Sequence, residues 1–141
     1  MRKLIYIIFS FISIVVLAGA CQQVKLSDAD KKFAEGEYFT ASEMYQKIYR
    51  KLPRKDRDMR GIVAWRLAES YRLSNNPVRA VSAYTNATNY NVPDSTLPLQ
   101  YARTLHKTGD YKKSAEQYSE FLKARPTSRF EGNRIGSPVE S

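Results

Sequence analysis

Histidine, cysteine and tryptophan each occur once in the 141 residues. A zinc site takes three or four suitable ligands, so His106 and Cys21 alone do not supply one, and no metal or cofactor is expected. A single cysteine excludes an intramolecular disulfide. The six glycines are scattered, and none forms a phosphate-cradling loop or a nucleophile elbow. Paired acids such as Asp28 and Asp30 fall near a predicted helix start, where the helix dipole accounts for them. An Asn86-Ala87-Thr88 sequon lies inside a predicted helix and is set aside. No period-two alternation follows Cys21, so no strand is expected. No catalytic set emerges, and the chain is not expected to be an enzyme.

The long apolar run is confined to the start. Arg2 and Lys3 precede an uncharged stretch from Leu4 to Leu17, closed by Ala18, Gly19 and Ala20 before Cys21. A basic start, a short apolar core and a small-residue end describe a signal peptide over 1–20. The competing reading is an uncleaved anchor, but a spanning helix wants about 20 apolar residues and this run is shorter. An exported protein with one unpaired thiol is unusual, and the segment LAGA–Cys21 resembles the lipobox of bacterial lipoproteins. That resemblance implies lipidation of Cys21 and attachment to a membrane. Each buried acyl methylene adds ~0.8 kcal/mol, so several chains would hold the protein there.

Removing Arg2 and Lys3 with the signal leaves 21 basic and 14 acidic residues. Such a balance favours acidic proteins, anionic lipid or polymer carboxylates. Nucleic acid is not expected, because the chain is exported and carries no nucleic-acid-binding motif. The densest basic stretch runs from Lys47 to Arg60, with only Asp56 and Asp58 opposing it, and reads as a solvated helix end and loop.

What remains is repetitive. Gly36, Ala41, Tyr45 and Pro53 mark one copy of a pattern; Asn75, Ala80, Tyr84 and Pro93 a second; Gly109, Ser114, Tyr118 and Pro126 a third. The steps are 39 and 34 residues. A turn residue, a small residue, an aromatic one helical turn later and a closing proline predict three helix hairpins. Ser27, with Asp30 three residues on, is the expected cap of a short first helix ending at Gly36. Further helices are expected near 38–52, 58–73, 77–89, 95–108 and 111–124. Their inward faces carry Val63, Leu67, Ala68 and Tyr71, then Val78, Val81, Tyr84 and Ala87, then Tyr101, Ala102 and Leu105, then Tyr118, Phe121 and Leu122.

These copies resemble tetratricopeptide repeats. The second carries Leu67-Ala68, Tyr71, Ala80, Tyr84 and Ala87; the third carries Leu105, Gly109-Asp110-Tyr111, Ser114, Tyr118 and Pro126. The resemblance covers about Ser27 to Pro126 and implies an all-α fold, an α-solenoid of three hairpins. Residues 21–26 are then a tether, 27–126 the repeat domain and 127–141, polar with scattered Gly, Pro and Ser, a disordered tail. More narrowly, GEYFTASEMYQKIYRKLPRKDRDMRG and AWRLAESYRL resemble the N-terminal region of OmpA-family lipoproteins of the Bacteroidota, some linked to type IX secretion. That likeness implies an outer-membrane scaffold, and Gln22-Gln23-Val24-Lys25 after the cysteine favours its periplasmic side.

In tetratricopeptide arrays the first helix of each hairpin lines a concave groove that takes a protein or peptide. The matching helices here offer Trp65, Glu69 and Arg72, then Leu99, Arg103, His106 and Lys107. Spacings of about 3, 4 or 7 put them on one face. Trp65 reads as an apolar anchor, and no small-molecule substrate is expected. The alternative function is a basic module binding peptidoglycan or anionic lipid.

Overall fold

The computed structural model describes residues 24–124, and within them the protein is all-helical. Six helices follow in order: α1 (Leu26–Ala34), α2 (Tyr38–Lys51), α3 (Arg57–Leu73), α4 (Pro77–Asn89), α5 (Leu97–Thr108) and α6 (Tyr111–Lys123). Each helix packs on the next along the chain. The segment 1–20 expected to be a signal peptide, Cys21, and the segment 127–141 expected to be a tail lie outside the described residues.

The three tight turns share one geometry. Gly36, Asn75 and Gly109 take left-handed φ values of 79°, 59° and 84°. One residue later, the N–H groups of Glu37, Asn76 and Asp110 donate to the carbonyls of Lys32, Tyr71 and Leu105 at 3.0, 2.8 and 3.0 Å. This is the six-to-one hydrogen bond that closes a helix whose next residue is left-handed. Asn76 and Asp110 then cap α4 and α6 by accepting from the N–H of Arg79 and Lys113, each at 3.3 Å. Pro77 opens α4, where its missing N–H leaves no bond unmade.

Behind each turn the paired helices meet through small residues. Ala29, Ala68 and Ala102 on the first helices are fully buried, as are Ala41 and Ala80 on the second helices, with Ser114 nearly so. In the third pair the Ser114 hydroxyl donates to the Ala102 carbonyl at 2.9 Å, a backbone approach that a larger residue would block. Tyr45 and Tyr84 fill the space one turn on, both fully buried. Burying 150–250 Å² each, such rings contribute about 4–6 kcal/mol before entropy is subtracted. One apolar cluster runs through Tyr45, Val63, Leu67, Tyr84, Leu97 and Leu105. Gly61 on α3 sits where an added Cβ would come within 2.9 Å of both Tyr90 Cβ and Val92 Cγ2, so the residues after α4 lie directly on α3.

Three local expectations change. Helix α1 begins at Leu26, before Ser27, and no side chain caps it. Asp30 instead points across the hairpin. Val78 is 70% exposed because the buried stripe of α4 runs through Ala80, Ala83, Tyr84 and Ala87, a register that leaves Val78 off the face. Leu122 is 65% exposed, and α6 fully buries only Ser114.

Candidate functional site

Two polar nodes lie inside the hairpins, at matching places. Tyr45 donates its hydroxyl to Asp30 Oδ1 at 2.6 Å, and Arg66, reaching over from α3, donates to the same oxygen at 2.9 Å. Thirty-nine residues on, Tyr84 donates to Glu69 Oε1, and Arg72 holds Glu69 through Nη2 at 2.5 Å. Burial pushes the Tyr45 phenol up to about 12, helped by the hydrogen bond to Asp30. Burial and then the Glu69 charge push Tyr84 up further. A proton leaving either phenol would put an anion beside a carboxylate away from water, which is why both stay neutral. At the third matching place Arg103 replaces the acid and is exposed, while Tyr118 is only half-buried.

The residues expected to face a partner fall on matched rows. Trp65 and Leu99 share one row, Glu69 and Arg103 the next, Arg72 and His106 the third. Arg103, His106 and Lys107 are exposed; Trp65, Leu99 and Arg72 are half-buried. Glu69 departs from its expected surface place. It is 8% exposed, and its carboxylate is committed to Tyr84 and Arg72. Sequence reasoning missed this because an acid three residues before an arginine reads as an ordinary surface pair. Trp65 packs against the core, and its buried Nε1 has no partner among the described residues. His106 packs its ring against Tyr111 at 5.1 Å, as Phe33 does against Tyr38 at 5.3 Å in the first hairpin.

The basic stretch is partly structural. Arg60 lies 4.3 Å from the Tyr49 ring centroid and donates to the Leu52 carbonyl at 2.9 Å and the Tyr49 carbonyl at 3.3 Å. Its Nε donates to the Tyr90 hydroxyl at 2.8 Å. Arg57 donates to the Asn89 carbonyl at 3.3 Å. These two arginines satisfy carbonyls at the ends of α2 and α4 that no helical N–H can reach. They bridge the hairpins at that end of the molecule. Lys47, Arg50, Lys51, Arg54 and Lys55 stay exposed.

No group of three or more metal-ligating side chains occurs among the described residues, and none of their helices is long and apolar enough to cross a membrane. The chain matches no protein-family model and no curated protein at a significant level.

Proposed function

We propose that the chain is a lipid-anchored scaffold of the cell envelope, an α-solenoid of three tetratricopeptide hairpins that holds a protein or peptide partner. The observation that supports this most is the threefold recurrence of the left-handed turn, its closing hydrogen bond and the small-residue helix contact. Stacked repeats of this kind present extended surfaces, and surfaces of that kind bind partners. The first helices carry the partner face, with Trp65 and Leu99 as its apolar row and Arg103, His106 and Lys107 as its exposed basic group. A partner with an apolar residue flanked by acids fits that pattern. Anchoring comes from a lipid on Cys21, on the periplasmic side of the outer membrane. The resemblance to OmpA-family lipoproteins makes outer-membrane or type IX secretion assembly the setting to test.

The reading as a polymer-binding module has less support, since Arg57 and Arg60 spend their guanidinium groups on the protein's own carbonyls and tyrosines.

Cys21→Ser should release the protein from membranes or leave it as precursor; a processed variant that still sediments with membranes ends the lipoprotein reading. Crosslinking pull-down from native envelopes should weaken with folded Trp65→Ala and Arg103→Glu. Full capture by both would remove the partner from this face.

A further inference from the structure

A second surface opens about a third of a turn around α3 from Trp65, Glu69 and Arg72. Here α2 and α4 form the walls of a cleft of about 390 Å³, with α3 as its floor. Leu67 and Tyr71 lie on the floor, Gln46 and Arg50 on the α2 wall, Arg79 and Asn86 on the α4 wall. The volume falls in the range of ligand clefts, about 300–1,000 Å³.

The lining is charged with one sign. Two guanidinium groups face the cleft and no carboxylate lines it. Arg79 lies over the Tyr71 ring, 5.8 Å from its centroid. Among the described residues Gln46, Arg50 and Asn86 have no side-chain hydrogen-bond partner. Each carboxamide offers both donor and acceptor, the complement of a peptide unit, and the two stand on opposite walls. A helical ligand has satisfied its own backbone and would leave those amides idle; an extended chain would not.

The next junction along the array is built differently: its opening is smaller, about 230 Å³, and Asp94 and Glu120 stand in its lining. The place of Leu67 is taken thirty-four residues on by Tyr101, and the place of Gln46 thirty-nine residues on by Thr85. Tyr101 and Thr85 join their hydroxyls at 2.8 Å, so there a floor side chain reaches across to the wall. Leu67 and Gln46 make no such bridge, and the cleft above them is the wider of the two.

We propose that the cleft between α2 and α4 is a docking site for an extended acidic peptide segment, bound through Arg50 and Arg79 at its carboxylates and through Gln46 and Asn86 at its backbone. Its site is separate from the face carrying Trp65 and Arg103, so the two surfaces can fail independently.

The test uses the full chain in detergent and a short fluorescein-labelled peptide of glutamate, valine and threonine, with lysine replacing glutamate in the control. Fluorescence anisotropy should report binding of the glutamate peptide and not of the lysine peptide. Arg50→Glu and Arg79→Glu, both at exposed positions, should each weaken it about tenfold or more, the loss that 1.4 kcal/mol represents. Leu67→Tyr with Gln46→Thr, which copies the Tyr101–Thr85 bridge so as to fill the middle of the cleft, should abolish binding while the melting temperature holds; should that variant not fold, the two charge reversals decide. Trp65→Ala should leave peptide binding unchanged. The proposal is overturned if the charge reversals bind like wild type, if the folded filled variant still binds, or if the lysine peptide binds equally. It is also overturned if an oligothymidylate or phosphatidylglycerol vesicles displace the peptide from wild type and from the filled variant alike, since charge alone would then explain the affinity.

Discussion

In the first two hairpins a carboxylate on the leading helix takes the hydroxyl of a fully buried tyrosine on the following one; in the third, Arg103 stands in the carboxylate's place and Tyr118 is half-buried. The turns and small-residue contacts are the same in all three. Hairpin geometry therefore does not require the polar node. The node accompanies burial of the ring: where the tyrosine is fully buried, as Tyr45 and Tyr84 are, its phenol loses its water and needs an acceptor. The acid so used is lost to any partner, which leaves the exposed basic side chains of the expected partner face on the third hairpin, at Arg103, His106 and Lys107.

The sharpest break of this comparison is truncation of the tyrosines. Tyr84→Ala removes a fully buried ring stacked on Tyr101 at 5.5 Å and should cost about 3–5 kcal/mol in urea unfolding. Tyr118→Ala should cost about 1 kcal/mol, an ordinary loss for a half-buried position. Equal losses would mean that the third hairpin is as deeply built as the second.

Next comes the acid itself. Glu69→Ala leaves the Tyr84 hydroxyl and Arg72 without their acceptor and should cost about 1.5–3 kcal/mol, the range for hydrogen bonds to charged groups. Arg103→Ala at the matching place should change stability by no more than about 0.5 kcal/mol. A large loss at Arg103 would assign it a structural partner.

The smallest effect, absent near neutrality, is alkaline. An unfolded tyrosine releases its proton near pH 10, whereas burial and Asp30 hold the Tyr45 phenol up to about 12. Between those values the unfolded chain has lost a proton that the native chain keeps. Stability is thus fully present below about pH 10 and falls as pH rises through about 12, with Tyr84 acting in the same direction. Melting temperature against pH should be flatter over that window for Tyr45→Phe and Tyr84→Phe than for the wild type, and equal slopes would remove the two phenols from the alkaline transition.

Much of this was legible in the residues. The all-helical class, the three tight turns and the fully buried Ala41, Tyr45, Ala80 and Tyr84 followed from spacing, because turn chemistry and helical period are local properties. Inner faces were read less well. Val78 and Leu122 fit an apolar stripe by period and lie exposed, since a helix's period does not say how far round its neighbours reach.

The chain by itself determined where helices begin, turn and stop, because capping, left-handed φ and the exclusion of proline act within a few residues of sequence. Only the tertiary structure decided which charged groups are spent. Asp30 joins Arg66 across thirty-six positions, Glu69 turns inward to Tyr84, and Arg57 and Arg60 close the ends of helices that precede and follow them. Tertiary packing also decided that Tyr101 reaches Thr85 across one junction while Leu67 bridges nothing at the other. Such choices depend on what a packed neighbour brings within about 3 Å, and sequence separation carries no record of that distance.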